Sequence, residues 1–288
     1  MDIESKKFLG QPKNFISIFN ALLFDGQPVL KPEYLKDENS ELVMNVSSKH
    51  VDIIKRYEDG TYLDLFVIES QSYVDPSMVA RVMEYESVAR MRYIRQNFKK
   101  HVPMHTRLPM ILTVVLYVGE SKWNAAKRLS ELEIIHPGFE DMFNEFKLNL
   151  IELNTNHKYN TGEKATQDFF DLLRMIYRKQ ILKEDLDREF NRDALYFAYV
   201  VTKNKELLNI YQESEKGDVK VCRALDEMFE ESTNKGIQMG IRQGIEQGIA
   251  LNQFEVYQTM LDKGFSVKAI ASIFSVSEES IKTLLIRT

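Results

Sequence analysis

Glu69, Ser70 and Gln71 close an apolar run, YLDLFVIESQ over residues 62–71, and Asp52 stands near the start of a second, VDIIKRY over 51–57. Carboxylates that bind Mg²⁺ must converge from elements that are rigid but separate in sequence, and a β-hairpin achieves this when the side chains share a face. Both runs are β-rich and flank Glu58-Asp59-Gly60-Thr61, and Asp-Gly is the strongest short hairpin signal. With Asp59 and Gly60 as the two loop residues, Glu58 faces Thr61 and Asp52 lies opposite Val67. Glu69 then becomes a diagonal neighbour of Asp52 at roughly 7–8 Å, and Gln71 shares the face. A one-residue change of loop length would set Asp52 and Glu69 on opposite sides of the sheet unless a bulge corrected it.

The face formed by Leu63, Leu65 and Val67 is apolar and turns acidic at its carboxyl end, where an open α/β sheet places its ligands. Two carboxylates with a cation can position and activate water and neutralise charge developing on a phosphate, with no nucleophilic serine or cysteine. Asp75-Pro76 then supplies an N-cap and a proline at the first helical position, and Met78, Val82, Tyr85 and Ala89 predict a helix to about Phe98. Arg81 and Tyr85, four residues apart, share a face of it, so Arg81 either grips phosphate oxygens or pairs with a carboxylate beside a core tyrosine. Between Arg90 and Arg107 stand Arg90, Arg92, Arg95, Lys99, Lys100 and Arg107 and no acid, which is either a phosphate-facing surface without sequence preference or a solvated helix end. His101 and His105 have a metal-compatible spacing but no third ligand nearby and a pre-proline loop context.

The elements that must hold these residues are legible around them. Phe15, Ile18, Phe19, Leu22 and Leu23 repeat near 3.6 residues and predict a helix over 13–24, ended by Asp25-Gly26, and the next 25 residues read as loop. MILTVV at 110–115 extends to Val118 as a buried strand, and LNLIEL at 148–153 is a further strand. The order helix, hairpin, helix, strand, helix, strand over 1–155 describes an α/β domain with a small mixed sheet, and every pattern beyond Gly162 is helical. Gly236, Gly240, Gly244 and Gly248, each followed by Ile, form either a weakly stable connecting helix or a smooth stripe for self-association. The last residues suit a helix-turn-helix, with Ser280, Lys282, Thr283 and Arg287 a thin set of DNA contacts.

Composition sets the bounds. A chain of 288 residues, 44% hydrophobic and 28% charged, is that of a folded globular protein. The single Cys222 excludes an intramolecular disulfide framework and a Cys-rich zinc module and fits a reducing, cytoplasmic compartment, and no apolar run is long enough to span a bilayer. A net charge of −5 attracts no nucleic acid as a whole, so any such binding must come from a local basic surface.

Asp52, Glu69-Ser70-Gln71, Met78, Arg81 and Tyr85, with FISIFNALLFDGQPVLKPEYL, LPMILTVVLYVGESKW and the Gly-Ile repeat, resemble the recombination-promoting nuclease/putative transposase family of the PD-(D/E)XK superfamily. The likeness covers nearly the whole chain. It implies an α/β, restriction-endonuclease-like core whose small mixed sheet is flanked by helices, followed by an all-α C-terminal region. The expected division is a nuclease-like domain over 1–160, a helical region over 161–231 and a Gly-Ile helix with a helical tail over 232–288. It further implies an Mg²⁺- or Mn²⁺-dependent endonuclease, linked to transposition or recombination, that hydrolyses phosphodiester bonds of double-stranded DNA. Asp52, Glu69 and the Ser70 carbonyl would hold the metal. Gln71 stands where the superfamily usually has lysine, so a neutral amide would orient the water by hydrogen bonds without adding charge, implying lower activity. The superfamily's acid on the first helix has no match, and Asn20 is the nearest polar residue. The alternative is a catalytically inactive nuclease fold acting as a DNA-binding or oligomeric interaction protein. A homodimer through the C-terminal helices is the expected assembly, with no membrane association.

Overall fold

The computed structural model describes residues 3–37, 53–60, 63–181, 185–214 and 217–286, so Asp52 and Arg287 lie outside the described residues. Two compact units are present, Met1–Asp226 and Glu227–Thr288. The first is built on a five-stranded sheet in the order β1 (Leu35–Asp37), β2 (Ile53–Glu58), β3 (Leu63–Gln71), β4 (Ile111–Tyr117), β5 (Asn149–Glu152). β1, β2 and β3 pair antiparallel, and β3, β4 and β5 pair parallel, which makes the sheet mixed as expected.

The hairpin between β2 and β3 is wider than Asp59-Gly60 suggested. Ile53 pairs with Ile68, Ile54 with Val67 and Glu58 with Leu63, so four residues, not two, join the strands. The register thus shifts by two places. Because side chains alternate with period two, this even shift leaves the face assignments of the described strand residues intact. Ile54, Leu65 and Val67 lie together on one face with Tyr85, Ala89 and Ile111. β1 occupies part of the stretch expected to be loop.

Each face of β3 is covered by a different helix. Helix α2 (Pro12–Phe24) follows the short α1 (Ile3–Leu9) and ends at Asp25 and Gly26, both in the left-handed region, as the Asp-Gly pair predicts. Its Phe19 stacks on Phe66 with ring centroids 4.7 Å apart, Phe66 meets Tyr57 at 5.5 Å, and the Lys55 ammonium lies 5.8 Å from the Phe15 ring. Helix α3 (Met78–Asn97) covers the other face. Its first turns, with Met78, Val79 and Val82, pack on Val115, Tyr117, Trp123, Leu129 and Leu148.

The helix expected between β4 and β5 is absent. Residues 118–148 cross over as irregular chain with two short 3₁₀ turns, Leu129–Glu131 and Glu140–Met142. Pro137-Gly138 breaks any helical period there. The segment is tied down instead by the Arg128–Lys147 bridge and by burial of Trp123 and Leu129.

Helix α4 (Lys164–Arg178) docks on the α2 side, where Ser17 Oγ donates to Thr166 Oγ1 at 2.8 Å and Phe8 meets Phe169 at 5.7 Å. Arg188 then ties the following segment to α4 through the buried Asp168 and through Asp171 at 2.7 Å. Strands β6 (Glu189–Phe190) and β7 (Val219–Lys220) pair on either side of α5 (Arg192–Thr202) and α6 (Lys205–Glu213). The chain up to Asp226 clusters with the sheet in one compact unit. The second unit holds most of α7 (Cys222–Asp262), with α8 (Val267–Phe274) and α9 (Glu278–Ile286). Tyr257, Ile270, Ala271 and Ile281 form its core.

Phe19 is fully buried and bridges α2 to the sheet. Phe19→Ala is expected to cost about 3–5 kcal/mol, read as a lowered denaturant midpoint of the first unit. A loss below about 1 kcal/mol would show that α2 is not held through this ring.

Candidate active site

Alternation along β3 puts Glu69 and Gln71 on the face of Leu65 and Val67, beneath α3, and both are 4% exposed. A buried carboxylate and a buried amide two residues apart are costly to keep dry, so their partners matter. The strand end that carries them is fixed from the β4 side, where Glu69 pairs with Val115, Gln71 pairs with Tyr117, and the Val118 N–H donates to the Gln71 carbonyl at 2.9 Å.

The turn after β3 supplies the next part. Asp75 Oδ1 accepts from the Ser77 N–H at 2.9 Å and from Ser77 Oγ at 2.6 Å. This local closure starts α3 at Met78, later than the Asp75-Pro76 signal implies, with Ser77 at the cap position. Arg81, in the first turn of the helix, reaches back over the strand end. Its Nη1 donates to Asp75 Oδ2 at 2.6 Å, its Nη2 to Glu69 Oε1 at 3.1 Å, and its Nη2 and Nε to the Tyr85 hydroxyl at 2.7 and 3.1 Å. One guanidinium therefore joins strand, turn and helix, a task for which its planar fork of donors is suited.

The electrostatics follow from that bridge. Burial alone would raise the Asp75 pKa, but hydrogen bonds from the Ser77 hydroxyl, Arg81 and the Ser77 N–H outweigh it and hold the carboxyl below its ordinary value. Burial opposes the charge on Arg81, yet the bonds to Asp75 and Tyr85 and the nearby charge of Glu69 keep it firmly protonated. Burial, reinforced by Glu69, raises the pKa of Tyr85, which stays a neutral phenol. Gln71 differs from these residues: among the described residues its buried Nε2 has no hydrogen-bond partner. An unmet buried donor costs about 1–3 kcal/mol, and such a group marks a place where water or a ligand belongs.

The residues singled out from sequence are thus partly assembled. Glu69, Gln71, Arg81 and Tyr85 come together beneath α3. Arg81 takes the carboxylate pairing, the second of its two readings, and Tyr85 is the core tyrosine beside it. Asn20 does not join them. It sits on α2, across the sheet, and is spent at both ends of its amide: Nδ2 donates to the Leu30 carbonyl at 2.8 Å and Oδ1 accepts from the Leu30 N–H at 3.0 Å. The cavity beside it, about 140 Å³ in volume, is lined by Ser17, Asn20, Leu30 and Thr161 and includes neither Glu69 nor Gln71.

Along α3, Arg90 pairs with Glu86 at 2.8 Å, Arg92 is half-buried, and Arg95, Lys99 and Lys100 are exposed. A helical rise of 1.5 Å per residue sets Arg95 about 21 Å from Arg81 along the axis. Asp75 was legible only as a cap, and its larger part depends on the reach of Arg81 from six residues away. Among the described residues no cluster of three His, Cys, Asp or Glu could hold a metal, so neither His101 nor His105 is part of one. The groups at the end of β3 able to ligate a cation, the Glu69 carboxylate and the Ser70 carbonyl, are oxygens, which suits a hard cation such as Mg²⁺, an ion commonly bound through one or two carboxylates with water completing its shell.

A mixed sheet flanked by helices, with a buried polar cluster at the carboxyl end of a central strand, defines an α/β fold of the nuclease-like class. The family model described as "Putative transposase, YhgA-like" matches residues 29–207, and the chain belongs to this family of the PD-(D/E)XK-like recombination-promoting nuclease/transposase group. No curated protein and no solved structure matches the chain. Among the described residues no helix is long and apolar enough to cross a membrane.

Asp75→Asn is expected to lower stability at pH 7 by about 3 kcal/mol, because it leaves a largely buried guanidinium short of a charge partner. Since the folded pKa of Asp75 is depressed, its contribution is present above the unfolded value near 4 and is lost as pH falls through the folded value. Denaturation of wild type and variant across pH 2–7 should show the gap closing only below about pH 4. A gap independent of pH would separate Asp75 from this role.

Proposed function

We propose that the chain is a metal-dependent endonuclease that hydrolyses phosphodiester bonds of double-stranded DNA in transposition or recombination. The observation that carries this reading is the pairing, on one face of β3, of a buried carboxylate, Glu69, with a buried amide, Gln71, whose donor is unmet among the described residues. Glu69 and the Ser70 carbonyl would hold Mg²⁺ or Mn²⁺ together with Asp52, the residue before the start of β2 at Ile53. A cation held there supplies charge neutralisation at the phosphate and a more acidic water. Gln71 Nε2 supplies a donor that orients that water by hydrogen bonding, a weaker means of activation than a lysine charge. The exposed Arg95, Lys99 and Lys100, on or just beyond the helix that carries Arg81, would bind the DNA backbone without reading its sequence.

Supercoiled plasmid with Mg²⁺ should be nicked by the wild type and not in EDTA. Asp52→Ala and Glu69→Ala should each lower the rate by at least about 10²-fold, and Gln71→Ala by less. Equal cleavage by wild type and both acid variants would end the metal-site reading. No cleavage with any divalent metal would favour the second reading, a silent nuclease fold that binds DNA or partners.

The partner proposed for the second unit is another copy of the chain. Ile237, Ile241, Ile245 and Ile249 on α7 are 53–57% exposed, and a Cβ at Gly236, Gly240, Gly244 or Gly248 would meet nothing within 4 Å. Light scattering of the full chain should give a dimer mass for wild type and a monomer mass for the Ile241→Glu/Ile245→Glu double variant. An unchanged dimer mass would reject α7 as the contact.

A further inference from the structure

We propose that Arg81 is a positioning residue that occupies Glu69 as a stand-in cation, and that it gives up Glu69 Oε1 when a metal binds while staying anchored on Asp75. This inference rests on the metal-site reading of Glu69 and adds a residue that governs metal affinity. Its basis is the unequal grip of one guanidinium. The Nη1 contact to Asp75 is 2.6 Å long, and that acid is fixed in turn by two bonds from Ser77, whereas the Nη2 contact to Glu69 is 3.1 Å and the same nitrogen is shared with the Tyr85 hydroxyl at 2.7 Å. Charge-assisted N–H···O bonds are normally about 2.7–2.9 Å, so Arg81 holds Asp75 at full strength and Glu69 loosely.

The geometry matches what a hydrolytic site needs in two states. Before metal arrives, a carboxylate that is 4% exposed requires a cation nearby, because an isolated buried charge is prohibitively expensive. Arg81 answers that need from a helix. Once a divalent ion takes over at Glu69, the Asp75 contact and the Tyr85 hydroxyl retain the arginine, and Nη2 is released toward a phosphate oxygen. Both sequence readings of Arg81, carboxylate partner and phosphate grip, then describe the same side chain at different stages.

Competition of this kind is measurable without DNA and without turnover. Arg81→Lys keeps the positive charge but replaces the planar fork by a single ammonium that cannot span Asp75 and Glu69 with the same geometry. Mn²⁺ binding to the full chain, followed by the EPR signal of the unbound ion and by the metal-induced rise in melting temperature, is expected to tighten on the order of five- to tenfold in Arg81→Lys. A pure field effect would leave it unchanged, since the charge is preserved. Tyr85→Phe, which ends the sharing of Nη2 and removes the hydroxyl that retains the arginine after release, leaves Glu69 more firmly held and should weaken binding about two- to threefold; it serves where Arg81→Lys fails to fold. Equal or weaker Mn²⁺ binding in Arg81→Lys, or equal or tighter binding in Tyr85→Phe, with binding still abolished by Glu69→Gln, would overturn this proposal and leave the metal site standing. No Mn²⁺ binding by wild type or variants would overturn both.

Discussion

A strand buried on both faces can direct its side chains only two ways, and β3 lies in the middle of a five-stranded sheet. Phe66 and Ile68 point to the side covered by α2, while Leu65, Val67, Glu69 and Gln71 point beneath α3. The rest of the first unit follows from that alternation. Two aromatic-rich layers close one side, and a helix with an aliphatic face closes the other. The apolar strand face turns polar only at its carboxyl end, at the approach of the first turns of α3. Earlier on that face the strand lies against Tyr85, Ala89 and Ile111.

Arg81 makes the polar end tolerable. Its contacts join the end of β3, the Asp75 turn and the helix in one set of charge-assisted bonds. Cutting one partner from such a set leaves another charged and dry, so the set is energetically coupled. The amide of Gln71 stands beside this set with its donor unmet among the described residues. The Arg188 network on α4 offers the comparison. It too buries acids, Asp168, Asp171 and Asp185, around Arg188, but it fastens a segment to a helix, and it lies on the α2 side of the molecule.

Much of this is legible in the sequence. The spacing of Phe15, Phe19 and their neighbours, the alternation of residues 62–71, the apolar run at 110–118 and the 3.6-residue pattern after Met78 each report a local preference that the fold preserves. The hairpin width was misread because Asp-Gly favours a two-residue turn only when nothing else sets the register, and here packing on both faces of β3 sets it. A shift of two residues returns each described side chain of the hairpin to its own face. The missing helix between β4 and β5 is a different kind of error. A parallel crossover must be bridged, and helix is the common solution, but Trp123 and Leu129 bury against α3 from an irregular chain instead.

The sequence by itself determined which residues are chemically able, that Glu69 and Gln71 must share a face, and which stretches are helix or strand, because these depend on residue type and on neighbours a few positions away. Tertiary structure alone decided that Asn20 lies across the sheet from Glu69, that Asp75 is more than a cap, and that Arg81 turns inward. Those outcomes depend on which side of the sheet each helix packs and on which buried charges meet, and both are set by contacts between segments that no local pattern encodes.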